Sequence, residues 1–142
     1  IHPAYLPQGR GIYPNFWSFF EGYPKGVTIH YIDECIDTGN ILLREEVRFK
    51  KGETLRTTIN ILMMRAEELF LENIENILSG KIESIDQRSE PNESFYHSRA
   101  ISEYFVELLP DGWDTPVEYV ELVGRDFEIS KQFINRYYEI NG

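Results

Sequence analysis

Two short stretches of this chain carry a histidine and an aspartate that can converge on one reaction: His2, within Ile1-His2-Pro3-Ala4-Tyr5-Leu6-Pro7, and Asp37, within Asp37-Thr38-Gly39. An imidazole at a strand end can polarise a carbonyl or carry a proton. A carboxylate in the turn after the next strand can orient that imidazole, hold it charged, or take a proton from an attacking amine. Open α/β sheets bind ligands outside the carboxyl ends of their strands, which is where the two residues would meet. Singly, neither carries the assignment: a histidine this close to the start of a chain is ordinarily a surface group, and Asp-Thr-Gly is ordinarily a turn.

The elements that must hold this pair can be read from pattern. Pro3, Pro7, Gly9, Gly11 and Pro14 break the first stretch into a loop. Asn15 is placed to cap a short helix through Phe16-Trp17-Ser18-Phe19-Phe20, ending at Gly22. Residues 26–32 alternate with period two, with Val27, Ile29 and Tyr31 on one face of a strand and Thr28, His30 and Ile32 on the other. A turn follows over 33–39, then Ile41-Leu42-Leu43 and Val47-Arg48-Phe49 as a second strand or a bent pair. From Thr54 to Ser79, Leu55, Ile59, Leu62, Ala66, Leu69, Phe70, Ile74 and Ile77 recur at spacings of three and four, predicting a helix roughly 40 Å long that Gly80 terminates. Farther on, Phe95-Tyr96-His97 suggests a short strand, residues 98–109 a helix with a serine near its cap, and residues 129–138 a final helix. The expected fold class is α/β, with few strands, one long covering helix over residues 1–80 and a small extension over 81–142.

A length of 142 residues with 42% hydrophobic and 14% aromatic content suits one folded domain. The single cysteine, Cys35, has no intramolecular partner for a disulfide, and no apolar run reaches the roughly 20 residues of a membrane span, so a soluble cytoplasmic protein is expected. A net charge of −10 argues against a nucleic-acid partner, whose phosphates call for Lys and Arg. The acid is concentrated late: residues 91–142 hold 10 Asp and Glu against 4 Lys and Arg, a net of −6.

His2-Pro3-Ala4-Tyr5-Leu6-Pro7, Arg10-Gly11, Gly26-Val27-Thr28-Ile29-His30 and Asp37-Thr38-Gly39-Asn40-Ile41-Leu42, in that order and followed by the long helix, resemble the second half of the catalytic domain of 10-formyltetrahydrofolate-dependent formyltransferases, a Rossmann-like domain. The resemblance implies transfer of a formyl group from that folate to a primary amine, with no metal. It makes His2 and Asp37 members of a catalytic trio. The third member is an asparagine that would fall one position before Ile1. His2 and that asparagine would stabilise the oxyanion, while Asp37 holds His2 in its useful protonation state and helps remove the amine proton.

His30 would support the site, or equally be a hydrogen-bonded imidazole within the sheet. The loop 32–39 is similar to the family's folate-contacting loop, implying cofactor contacts at Ile32, Asp33, Glu34, Ile36 and Gly39; Asp33-Glu34 also reads as a plain solvated acidic turn. Arg10, Tyr13 and Glu67 are the implied substrate contacts, against a solvated helix face for Glu67 and core packing for the aromatics near Trp17.

The acceptor most in keeping with Tyr13-Pro14-Asn15-Phe16-Trp17-Ser18 is an amino sugar on a nucleotide diphosphate. Methionyl-tRNA and glycinamide ribonucleotide are the alternatives. Because the motif lacks its asparagine and the chain has no initiating methionine, a fragment is expected, one that pairs with a second copy, depends on a missing half, or is marginally stable. A non-catalytic binding module is the competing expectation. Asp-Thr-Gly is also the triplet of aspartic proteases, but one copy per chain would require a dimer of β-rich subunits, and the long helix argues against that.

Overall fold

The structure is a computed structural model that describes residues 1–91 and 97–126 continuously, with Lys131, Gln132, Asn135 and Glu139 as isolated positions beyond them. Helix α1 (Pro14–Glu21) starts two residues before the expected helix. Pro14 takes the first helical position, where its missing N–H costs nothing, and Tyr13 precedes it with a left-handed φ of 53°. Asn15 is therefore inside the helix rather than its cap, and its buried amide donates to the Leu55 carbonyl at 3.1 Å. Gly22, left-handed at φ 75°, ends the helix as its position predicts.

Strands β1 (Gly26–His30) and β2 (Ile41–Glu46) form an antiparallel pair. Strand β1 stops two residues short of its alternating pattern, so Tyr31 and Ile32 enter the loop and are exposed. Strand β2 is one strand that runs through Arg44 to Glu46; Val47 and Phe49 lie past its end and pack on the core beside it. The two faces of β1 do different work. Val27 and Ile29 pack with Leu42 against Leu62, Ala66 and Leu69. On the opposite face the Thr28 hydroxyl donates to the Ala4 carbonyl at 2.6 Å and accepts from the Leu6 N–H at 3.1 Å, fastening the first loop to the sheet. His2 continues that attachment through paired backbone hydrogen bonds with Thr28 at 2.8 and 2.9 Å.

Helix α2 (Leu55–Leu78) falls within a residue of its predicted bounds. Thr54 and Thr57 form a reciprocal capping box at its start, worth about 1 kcal/mol by analogy with other N-caps. Gly80, at φ 67°, follows its last turn. Its 24 residues, roughly 36 Å, outrun the two-stranded sheet and leave Leu71 and Leu78 exposed.

Helix α3 (Arg99–Glu107) matches expectation, whereas helix α4 (Val117–Arg125), directly after Pro116, stands in a stretch for which no element was expected. Of the predicted strand at 95–97, Phe95 and Tyr96 lie outside the described residues; His97 makes a single parallel bridge to Gly11. The predicted helix over 129–138 also lies outside them, apart from Lys131, Gln132 and Asn135, which are helical.

An aromatic core draws on both sides of residue 80: Phe16, Trp17, Phe19 and Tyr23 pack with Leu55, Phe105, Leu109, Val117 and Val120. Its tightest point is the crossing of α1 and α4, where a Cβ on Gly124 would stand 1.8 Å from the Phe20 carbonyl oxygen. Both groups are helix backbone, so neither helix can yield alone. Gly124→Ala is expected to cost about 1–3 kcal/mol by overpacking, read as a lowered Tm; an unchanged Tm would mean that the helices separate freely.

Candidate active site

Asp37 lies in the loop leaving β1, at that strand's carboxyl end, with a left-handed φ of 56°. Asp is among the few residues other than glycine that accept this conformation readily. Its Oδ2 accepts the Gly11 N–H at 2.9 Å, which leaves Oδ1 turned toward two imidazoles: His2 Nδ1 at 3.6 Å and His30 Nε2 at 3.8 Å. The rings of His2 and His30 meet edge to face, with centroids 6.1 Å apart. Two members of the expected trio, His2 and Asp37, are thus brought together with His30, the expected supporting residue, so that a trio of two imidazoles and a carboxylate comes from three different stretches.

The tautomers follow from the far side of each ring. His2 Nε2 faces the Gly9 carbonyl at 2.8 Å, and His30 Nδ1 faces the Tyr31 carbonyl at 2.7 Å. A carbonyl only accepts, so those nitrogens carry the hydrogens in the neutral rings. The nitrogens left facing Asp37 Oδ1 are then bare. Asp37 keeps 20% of its side chain open, so a substrate can reach it.

Burial pushes the His2 imidazole below its usual range, with Asp37 offsetting part of that effect and the Gly9 carbonyl a further part. As pH falls, the unfolded chain protonates at its ordinary value of about 6.5 before the native protein does, so His2 contributes stability above that pH and loses it as pH drops through its depressed native value. The expected result is a Tm that declines more steeply between pH 7.5 and pH 5 in the wild type than in His2→Gln. Equal slopes would remove His2 as the source.

The other predicted residues are dispersed. Gly39 is buried beside the trio, and a Cβ there would lie 1.8 Å from the Tyr31 carbonyl oxygen, so the loop closes this tightly only with glycine. Ile32 is 95% exposed, and Asp33, Glu34 and Ile36 also face solvent. Asp33 folds back on its own loop, accepting from the Thr38 hydroxyl at 2.6 Å, which together with the Cys35 N–H holds its carboxyl below the usual range. Arg10 is buried with its guanidinium on Gln87, and Glu67 is exposed on α2 and is not among the residues gathered at Asp37. Tyr13 packs edge-on against Trp113, centroids 4.7 Å apart, and with Pro3, Asn15, Arg56, Ile59 and Asn60 lines a mainly apolar cavity of about 430 Å³. Pro3 neighbours His2, so the cavity adjoins the trio in the chain.

Gln87 is the functional-site residue that sequence reasoning missed. It is 1% exposed, and its Nε2 donates to the carbonyls of Asp37 at 2.9 Å and Gly39 at 2.7 Å. Only the adjoining Ile85, an apolar residue in a polar stretch, hints in sequence that this segment returns to the sheet; it bridges Ile41. Among the described residues no helix is long and apolar enough to cross a membrane.

Comparison with known proteins gives this geometry a setting. Residues 1–74 match the family model for formyl transferase. The chain is 31% identical to the methionyl-tRNA formyltransferase of Clostridium botulinum over 143 residues, covering 92% of this chain and 45% of that protein. It is 32% identical to the dTDP-4-amino-4,6-dideoxyglucose formyltransferase of Mycobacterium bovis over 92 residues, 65% of this chain and 39% of that protein. Among solved structures it is similar to the formyltransferase PseJ of Anoxybacillus kamchatkensis, crystallised in complex with UDP-4,6-dideoxy-4-formamido-L-AltNAc and tetrahydrofolate. That similarity has a TM-score of 0.77 and 47% identity over 84% of this chain and 61% of the other. The chain therefore spans less than half the length of these two curated relatives, and its α/β arrangement of few strands under one long helix is part of the fold of the solved neighbour.

Proposed function

Because this chain belongs to the formyl transferase family, we propose that it supplies the proton-handling part of an active site that transfers a formyl group from 10-formyltetrahydrofolate to the amine of a nucleotide-linked amino sugar. The observation that carries the reading is Asp37 Oδ1, facing the bare nitrogens of His2 and His30. An amine at neutral pH arrives as an ammonium and must shed a proton to attack a carbonyl carbon. Asp37 Oδ1 receives that proton, and the two imidazoles beside it share it, so that positive charge collects on His2 Nδ1 where a developing negative oxygen gains from it; when the carbonyl re-forms, the bond from the formyl carbon to the folate nitrogen breaks and that nitrogen takes up the proton, releasing tetrahydrofolate. His2 Nε2 stays on the Gly9 carbonyl throughout, which keeps the ring from turning.

The chain's own residues suit the donor. The folate supplies the formyl group, and the loop after β1 offers a flat ring an apolar edge in Tyr31, Ile32 and Ile36, all at least half exposed. For the acceptor, the cavity beside Pro3 has one aromatic wall, Tyr13 and Trp113, and two polar groups, Arg56 and Asn60, on α2. That mixture of stacking surface and a few hydrogen-bonding groups is what a nucleotide carrying a sugar requires. The solved neighbour bound to a UDP-linked formamido sugar supports the same class of acceptor. Methionyl-tRNA is the second reading, favoured by the 31% identity to an enzyme of that name and opposed by the charge of −10.

The test is transfer by the intact protein from 10-formyltetrahydrofolate to UDP- and dTDP-linked 4-amino-4,6-dideoxy sugars and to methionyl-tRNA, read as tetrahydrofolate released and formylated product by mass. Product with the sugars alone is expected. Product with the tRNA alone would transfer the assignment to the second reading, and none with either acceptor would defeat both.

A further inference from the structure

Asp37 is useful only if its Oδ1 points at the two imidazoles, and its own side chain does not ensure that. We propose that Gln87 is the positioning residue of this site: its buried carboxamide, braced by Arg10, locks the left-handed turn at Asp37 and thereby aims the carboxylate. The inference rests on the reading of Asp37 as the proton acceptor.

A carboxamide has two N–H donors and one oxygen with two lone pairs. In Gln87 all of these are used. Nε2 donates to the carbonyls of Asp37 at 2.9 Å and Gly39 at 2.7 Å; Oε1 accepts from Arg10 Nε at 3.2 Å and Nη2 at 2.9 Å. The two carbonyls belong to the residues on either side of Thr38, in the 37–38 and 39–40 peptides, so one side chain pins both ends of the turn. With the Gly11 N–H on Asp37 Oδ2, main chain and side chain of Asp37 are held from opposite directions. Aspartate accepts a left-handed φ more readily than most residues, but it does not prefer it to the ordinary region, so the turn at Asp37 relies on these bonds to hold it.

The side chains nearest to glutamine in shape do not reproduce these contacts. Glutamate would turn two donors into acceptors aimed at carbonyls, methionine has neither, and asparagine is one carbon short. Gln87 is itself anchored: the Ile41–Ile85 backbone pair lies two residues before it, and the Asp86 carboxylate caps the short turn over 87–89 by accepting the Arg88 N–H. Arg10 closes the circuit, because it lies between Gly9, which holds His2, and Gly11, which holds Asp37. In this arrangement Arg10 braces the site in addition to any contact with substrate.

The experiment is a double-mutant cycle in the intact protein, with Gln87→Glu and Asp37→Asn, reading kcat, KM and the His2 imidazole titration by NMR. Displacing the carboxylate by a fraction of its length is expected to lower kcat about a hundredfold in Gln87→Glu, with the acceptor KM within about threefold. In the Asp37→Asn background the same change should cost less than about twofold, since a group acting through Asp37 has nothing left to act on. The His2 titration should fall in both single variants. Of the two titratable side chains facing His2, Asp37 and His30, only Asp37 carries charge that raises it.

Equal losses in both backgrounds, or a Gln87 variant with kcat within about twofold of wild type, would overturn the proposal. If Gln87→Glu does not fold, Gln87→Met, uncharged and of similar length, is read through the same cycle. A wild-type protein that transfers no formyl group would defeat the functional reading instead. The turn is then judged by NMR alone, where an unmoved His2 titration in Gln87→Met overturns the role of Gln87.

Discussion

Asp37→Asn is expected to lower formyl transfer by about a thousandfold while leaving Tm unchanged or raised. The two halves of that result have separate causes. Asparagine tolerates the left-handed φ of 56° as aspartate does, so the turn survives. The Gly11 N–H needs an acceptor, which fixes the amide oxygen in the place of Oδ2. The amide nitrogen then occupies the place of Oδ1 and presents hydrogens to His2 Nδ1 and His30 Nε2, the two atoms that lack them. The substitution therefore satisfies the polar cluster and removes its capacity to take a proton. Initial rates at saturating donor and acceptor, beside thermal melts of both proteins, decide the matter. Activity within tenfold of wild type would sink the proton-accepting role, and a large drop in Tm would show that the turn depends on the charge.

The second large effect lies in the aromatic core. Phe105, 2% exposed, places its ring among those of Phe16, Trp17, Phe20 and Tyr104, with centroids 5.3–6.2 Å away. Phe105→Ala removes the one α3 ring that touches three aromatics of α1, at a cost of about 3–5 kcal/mol. Domains of this size have about 5–15 kcal/mol in total, so the variant is expected to be partly unfolded at growth temperature. Denaturant melts followed by tryptophan fluorescence and by far-UV circular dichroism report different parts of the chain. Coincident transitions are expected, because the cluster joins residues 13–23, Leu55 and residues 105–120 in one contact set. Separate transitions would mark the region after residue 80 as an independent unit.

What could be read from sequence was what repeats or what is chemically restricted. Helix α2 showed itself through many apolar positions at one period and through a terminal glycine, and β1 through alternation. The His2 and Asp37 pair was legible from motif order. Helix α4 was not, because Val117, Val120 and Val123 give one turn and a half of periodicity behind a proline that reads as a turn. The start of α1 was misjudged for a related reason: Asn15 has the chemistry of a cap, but Pro14 beside it was better suited to open the helix. For Gln87 the sequence offered only Ile85, which hints that the segment returns to the sheet and says nothing of the glutamine itself. A glutamine between Asp86 and Arg88 looks solvated, and its role exists only once two distant loops have been brought to it.

The backbone pair between Ile41 and Ile85 has a bearing on how such a protein diversifies. Both hydrogen bonds are 2.8 Å, so the chain leaves the site at Ile41, runs out along β2 and α2, and returns to its point of departure. What lies between is closed at that neck and fastened on one side only: the inner flank of α2 packs on β1 through Leu62, Ala66 and Leu69. On its outer flank Met64, Glu67 and Leu71 face solvent, and substitutions there can accumulate without repacking the sheet that carries the site. That outer flank is thus free ground for inheritance to experiment on, able to acquire new recognition while the chemistry at the base is passed down unaltered.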